Sequence, residues 1–273
     1  MLFHGLEGSS RSHYAEALAD WARAQGVAFA VPHFRGCSGT INRAPRAYHC
    51  GDFAEIGWLL QRFHSAQQAR GGGPMLAVGV SLGGNALLRW AQEAGDSAAA
   101  TASAVVAVCA PLDLAASGRA IGTGFNRQVY TRMFLQTMKP KALAKLAQHP
   151  GLFNRDAVLC ARTLYEFDNH FTAPLHGFRD TEDYWARASA RPHLARIRIP
   201  ALVLNPLNAE DFHRRGWTKH EVRQYLWENS RRKLADVRAC GVVHDQFRKA
   251  QQEVGRYPFR YDLNNPSTMV PVT

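Results

Sequence analysis

Ser81 stands in Gly79-Val80-Ser81-Leu82-Gly83-Gly84, a G-x-S-x-G pentapeptide preceded by the apolar run Met75 to Val80 and followed by the helical run Asn85 to Trp90. Strand, sharp turn and helix in that order lift a serine hydroxyl clear of the main chain, and the flanking glycines are needed because side chains there would collide with neighbouring backbone. The chemistry such a serine serves is acyl transfer, in which it attacks a carbonyl carbon and backbone N–H groups hold the oxyanion that forms. Leu82, the residue after the nucleophile, supplies one N–H. The second is expected from Leu6 in His4-Gly5-Leu6-Glu7-Gly8-Ser9-Ser10, a segment that follows the first apolar run and has the glycines to turn back on itself. The plainer alternatives are a glycine-rich turn with an idle serine, and a strand-to-helix loop capped by Ser10 or Ser12 and braced by His4.

The elements that must position these residues alternate: short apolar, β-branched runs with longer helical patterns. That is the layout of βα units around a parallel sheet, so the class is α/β. The strands read as Leu2 to His4, Val27 to Phe34, Met75 to Val80, Ala104 to Cys109 and Ala201 to Asn205, all interior. The helices read as Tyr14 to Ala24, Phe53 to Ala66, Asn85 to Glu93 and Val129 to Gln136. Asp52 and Glu55 form a D-x-x-E box at the start of the second helix, which makes Asp52 a helix cap rather than a catalytic acid. Residues 115–198 carry helical patterns and aromatics with little strand character, and are expected to form a helical cap over the carboxyl edge of the sheet. Residues 1–205 then form the core domain with that cap inserted. Beyond a junction near Pro206, residues 206–273 read as a basic tail with a helix over about 219–235 and an extended C-terminus from Tyr257.

Composition limits the function classes. The chain has 273 residues, 46% hydrophobic and 20% charged, which is globular and large enough to bury a core without disulfide or metal staples. Five cysteines (Cys37, Cys50, Cys109, Cys160 and Cys240) form an odd set with no C-x-x-C pair and read as reduced thiols. No apolar run has the length of a signal peptide core or of a membrane span, so a cytoplasmic location is expected. The net charge of +11 is scattered, with no block of five or six cations. Nucleic acid is therefore not an expected partner, whereas peripheral contact with a membrane surface is compatible with it. Twelve histidines show no H-E-x-x-H and no clustered ligand spacing, so a metal site is not expected.

Several separated motifs occur in order: H-G-L-E-G-S-S at 4–10, P-H-F-R-G-C-S-G at 32–39, R-A-Y-H-C-G-D at 46–52, G-V-S-L-G-G-N-A-L-L at 79–88 and A-P-L-D-L at 110–114. Further ones are Ala161-Arg162-Thr163 with Glu166-Phe167-Asp168, Thr172 to Phe178, Asp183-Tyr184-Trp185 and Ile199 to Asn205. Over about three quarters of its length the chain resembles the YheT-like branch of the α/β-hydrolases, a group of esterases and lipases. The resemblance implies an α/β-hydrolase fold with Ser81 as nucleophile, a histidine as base, an acid to orient it, no cofactor, and a small-molecule or lipid ester as substrate.

The family pattern is interrupted at both ends. Its leading strands precede the H-G-L-E-G motif, whereas Met1 stands three residues ahead of His4, so the sheet is expected to lack those strands and to expose an edge open to oligomerisation. Its acid lies in an A-R-x-D-P stretch, and here Pro206-Leu207-Asn208-Ala209-Glu210 puts Ala209 in the acid's place, with Glu210 and Asp211 just beyond. The family's G-G-H-x-G histidine is matched best by His244 in Cys240-Gly241-Val242-Val243-His244-Asp245, which lacks the following glycine; His213 and His220 match less well. Asp113 in A-P-L-D-L reads as structural. Cys37 has no basic partner at a revealing spacing and reads as a packed thiol. The expected function is a carboxylic ester hydrolase using Ser81 and His244, with Leu6 and Leu82 at the oxyanion. Its rival is a truncated or fused remnant without a complete triad, silent in catalysis and binding lipid or anions, for which little or no turnover is expected.

Overall fold

The computed structural model describes residues 1–205, 259–261 and 269–271. In chain order the first part runs through β1 (Leu2–Phe3), α1 (His13–Ala24), α2 (Phe53–Gln68), β2 (Leu76–Val80), α3 (Leu82–Ala94) and β3 (Ala104–Val108). A helical stretch follows: α4 (Leu114–Ile121), α5 (Gly124–Asn126), α6 (Arg132–Gln148), α7 (Arg155–Cys160), α8 (Leu164–Phe167), α9 (Ala173–Leu175) and α10 (Thr181–Ala188). The chain then returns to the sheet as β4 (Ala201–Leu204). The four strands lie side by side in the order β1-β2-β3-β4, and every pair is parallel. Parallel neighbours need crossovers, and the helices supply them. The expected parallel α/β architecture is thus present.

α3 is the central helix, buried from Leu82 to Gln92. Its apolar side chains join Phe3, Ile56, Leu60, Val105 and Ala107 in the main core. The polar residues buried with it bond locally: the Arg89 guanidinium donates to Gln92 Oε1 (2.8 Å) and Glu93 Oε1 (2.6 Å), with its Nε left unpartnered among the described residues, and Gln92 Nε2 donates to the Ala190 carbonyl (2.8 Å). Asp52 caps α2, accepting from Glu55 N at 3.4 Å, and Asp113 caps α4, accepting from Ala116 N at 2.9 Å. Both are held by arginines as well, Arg46 at 2.6 Å and Arg191 at 3.1 Å.

Three readings of the sequence are corrected. Val27 to Phe34 forms no strand; it runs beside β1 with a backbone bond from Leu2 N to Ala30 O (2.9 Å), too little for a ladder. β4 does not read as interior, since among the described residues it pairs only with β3 and leaves Leu202 and Leu204 51% and 43% exposed. The helix expected to stop at Gln136 continues through Pro140 to Gln148 as α6. Proline costs a helix a hydrogen bond, but Leu135 and Ala142 on this helix pack with Val158, Ala161, Phe167 and Phe171 in a second apolar cluster, and that packing outweighs the local preference.

Between β3 and β4 the described residues contain helices and no strand. The chain divides at Pro206/Leu207 into two units, and in the second the strands β5 (Phe259–Tyr261) and β6 (Met269–Pro271) pair antiparallel with each other. The expected helix over 219–235 and the candidates Ala209, Glu210, Asp211, His213, His220 and His244 lie outside the described residues. No helix among the described residues is long and apolar enough to cross a membrane.

Candidate active site

β2 delivers the chain to Ser81 and α3 begins at Leu82, so the serine occupies the single residue between strand and helix. Its backbone is at φ 52° and ψ −121°, a positive-φ conformation that L-residues avoid and that a tightly packed surrounding must impose. The surrounding is backbone against backbone. A Cβ on Gly79 would lie 2.5 Å from the Gly83 carbonyl oxygen, and one on Gly83 would lie 2.5 Å from that of His4, so both positions exclude side chains. Ser81 N donates to Val108 O (2.8 Å), and its carbonyl accepts from Gly84 N (2.9 Å) and Asn85 N (3.2 Å), which fixes the turn from both sides.

The loop after β1 lies against this turn: a Cβ on Gly5 would stand 3.2 Å from Ser81 Cβ. Gly5 N donates to Tyr14 Oη (2.9 Å), Glu7 N to Tyr48 Oη (2.9 Å) and Gly8 N to Gly5 O (3.0 Å). Leu6 N–H, in the midst of these, has no hydrogen-bond partner among the described residues, and neither has Leu82 N–H at the head of α3. Both residues line the cavity that Ser81 lines, of about 200 Å³. Two N–H groups without partners, on residues that share a cavity with Ser81, are the donors that an oxyanion site requires. The loop is braced by its histidine: His4 is fully buried, Nδ1–H donates to Gly5 O (2.8 Å) and Nε2 accepts from Phe34 N (3.1 Å), so the ring is neutral, and burial lowers its pKa. Glu7 ties the loop to α6. One carboxylate oxygen accepts from Tyr48 Oη (2.8 Å) and the other faces Lys141 Nζ at 2.8 Å, a charge contact without hydrogen-bond alignment.

The sequence over residues 1–254 matches the model of the alpha/beta hydrolase family. This chain is an α/β-hydrolase. The α/β-hydrolase chain is 40% identical over 207 residues to YheT of Escherichia coli (strain K12), an esterase by name, covering 75% of this chain and 59% of that protein, which places it in the YheT-like branch. It is 28% identical over 209 residues to phospholipase ABHD3 of Mus musculus, covering 75% of this chain and 49% of that protein. With the medium-chain fatty acid ethyl ester synthase/esterase 2 of Saccharomyces cerevisiae the identity is 27% over 231 residues, 75% of this chain and 49% of the relative. The chain spans about half the length of most of these relatives.

Elsewhere the cavity wall of this α/β-hydrolase mixes charged and apolar side chains: Glu7, Arg35, Lys141 and Lys145 line it together with Ile121, Phe134, Met138, Phe167 and Trp185, the last five supplied by the helical stretch between β3 and β4. Asp168, half-buried, lines it too; Glu166-Phe167-Asp168 belongs to the motifs of the resemblance, but nothing in the sequence signalled what this carboxylate holds. Its two oxygens accept from Thr172 Oγ1 (2.6 Å) and Trp185 Nε1 (2.9 Å), which holds the indole against the cavity, and burial pushes its carboxyl up to about 6. Asn85 stands in the 79–88 motif, but its role there was not legible: wholly buried, it donates to the carbonyls of Cys50 (2.9 Å) and Ala188 (2.8 Å) and accepts from Ala190 N (3.0 Å). Cys37 does have a basic neighbour, Lys141 Nζ at 3.7 Å, brought from 104 residues away; burial nevertheless pushes the thiol up and keeps it protonated. Among the described residues no group of three or more His, Cys, Asp and Glu side chains is arranged to hold a metal ion.

Among the described residues no histidine is hydrogen-bonded to the Ser81 hydroxyl. His49 lines the cavity, but its Nδ1 accepts from Gly51 N (3.2 Å) and its ring is packed against His176, Phe178 and Tyr184. Burial, with the nearby His176, pushes its pKa down to about 3, far from the value a general base needs at neutral pH. Between pH 6.5 and 3 the unfolded chain binds a proton that the folded one refuses. His49 therefore contributes stability that is complete above pH 6.5 and is lost as the pH falls toward 3, roughly 5 kcal/mol over the whole window. His49→Gln is expected to remove this component: the difference between parent and variant in urea-unfolding free energy should be constant above pH 7 and change steadily between pH 6.5 and 4. A pH-independent difference would show that the imidazole titrates alike in both states.

Proposed function

We propose that the chain hydrolyses carboxylic esters with apolar acyl groups, using Ser81 as nucleophile and the N–H groups of Leu6 and Leu82 as the oxyanion donors. The observation that carries this reading is the positive-φ Ser81 turn together with two residues, Leu6 and Leu82, whose N–H groups have no partner among the described residues, all three residues lining one cavity. In the reaction Ser81 Oγ bonds to the ester carbonyl carbon while its proton passes to a histidine, for which His244 is the candidate. The C–O bond to the alcohol then breaks as the alcohol takes that proton, and water splits the acyl-enzyme by the reverse sequence. The apolar part of the wall, with Ile121, Phe134, Met138, Phe167 and Trp185, suits an acyl chain, in keeping with relatives named as an esterase, a phospholipase and a fatty acid ethyl ester synthase/esterase. One observation favours the rival, a catalytically silent chain: Ala209 occupies the acid's place in the family pattern.

The full chain treated with a fluorophosphonate is expected to carry one adduct, on Ser81, and to hydrolyse p-nitrophenyl octanoate faster than the acetate. His244→Ala should keep the fold and lower kcat by a factor on the order of 10³ or more. An adduct without turnover would assign the silent reading, and turnover unaffected by His244→Ala would give the base's role to another histidine.

A further inference from the structure

From Leu114 to Arg155 the sequence holds seven lysines and arginines (Arg119, Arg127, Arg132, Lys139, Lys141, Lys145 and Arg155) and no aspartate or glutamate. Lys141 and Arg155 are ion-paired, with Glu7 and Asp156, and Lys145 is buried against carbonyl groups. Arg127, Arg132 and Arg162 have no ion pair among the described residues, and together with Lys139 they line one open depression. A cluster of like charges without counter-ions is electrostatically unfavourable unless an anionic partner relieves it.

The same segment exposes apolar side chains between the arginines: Val129, Tyr130 and Met133 are 41%, 43% and 48% exposed. Thr131 in their midst is buried and donates to Ile121 O (2.8 Å), so the run is anchored at that point rather than loose. Ile121, Phe134 and Met138, from the flanking turns, face the cavity beside Ser81. Cations interleaved with exposed apolar and aromatic side chains match the interface of an anionic bilayer, where phosphates meet the arginines and the apolar groups enter the acyl boundary. Nucleic acid would use the charges but leave Val129 and Met133 without a role.

We infer that the segment from Arg127 to Met133, with Arg162, is a docking surface for anionic phospholipid membranes. The surface does not depend on Ser81 being the nucleophile, so the test uses the full-length Ser81→Ala chain, in which hydrolysis plays no part. Sedimentation is measured with vesicles of phosphatidylcholine alone and with 30% phosphatidylglycerol (about a third anionic, as a polybasic surface requires). Binding is expected to the anionic vesicles and to be released at high salt. Arg127→Gln/Arg132→Gln/Arg162→Gln should weaken it about 100-fold, at about 5-fold per charge. The charge-matched control Arg23→Gln/Arg62→Gln/Arg70→Gln should change it by less than about 5-fold. Val129→Ser/Met133→Ser should weaken it with the charge intact. Equal binding to neutral vesicles, equal losses in the two triple variants, no loss in Val129→Ser/Met133→Ser, or displacement by double-stranded DNA would each overturn the assignment.

Discussion

Ser81→Gly is expected to abolish hydrolysis while raising the melting temperature. The serine is held at φ 52° and ψ −121°, a conformation that costs an L-residue on the order of 1–3 kcal/mol and a glycine little. Glycine's greater freedom in the unfolded chain takes back part of the gain, leaving about 1 kcal/mol, or about 2–4 °C for a chain of this size. The hydroxyl makes no hydrogen bond among the described residues, so its removal exposes no orphaned partner. Ser81→Ala removes the same hydroxyl but keeps the strain, and should melt below Ser81→Gly. In both variants turnover should fall by a factor on the order of 10⁴ to 10⁶, since loss of the nucleophile leaves only binding and the oxyanion donors. Calorimetry and ester hydrolysis on the two variants check the pair of effects. A Ser81→Gly protein that keeps its turnover would remove Ser81 from the mechanism, and one less stable than Ser81→Ala would show that the turn is not strained.

Asn85→Ala should destabilise the fold by about 3–5 kcal/mol, far beyond an average substitution. Its side chain serves three backbone groups that no other described residue satisfies, the carbonyls of Cys50 and Ala188 and the N–H of Ala190, and each buried orphan costs about 1–3 kcal/mol. These bonds join the first turn of α3 to two segments of the cavity wall, so the loss loosens the site as well as the core. Asn85→Asp keeps the acceptor for Ala190 N but turns an oxygen toward two carbonyls, and should be nearly as damaging at neutral pH. Urea-unfolding midpoints measure both. A loss below about 1 kcal/mol in Asn85→Ala would mean that water takes over all three groups.

The sequence alone determined what depends on local backbone geometry. A glycine-framed serine between an apolar run and a helical run marks a tight strand-to-helix turn, and Ser81 occupies one. Asp52 and Asp113 cap helices because a carboxylate reaches the amide three residues ahead without help from the rest of the fold. Alternating apolar runs and helical patterns need a parallel sheet, whatever the details of packing. Tertiary structure decided whatever depends on what lies opposite. Val27 to Phe34 has the composition of a strand but lacks a ladder, and α6 continues past Pro140 because distant residues bury it. Lys141 meets Glu7 and Cys37, and Asn85 meets Ala188 and Ala190, across roughly a hundred residues or more of sequence, a range over which spacing carries no information. The low pKa of His49 and the raised one of Asp168 follow from desolvation, which a composition cannot express. The sequence named Leu6 and Leu82 as donors, but that their N–H groups have no partner among the described residues is known only once every neighbouring donor has found its acceptor, because an unpartnered group is defined by the whole arrangement around it.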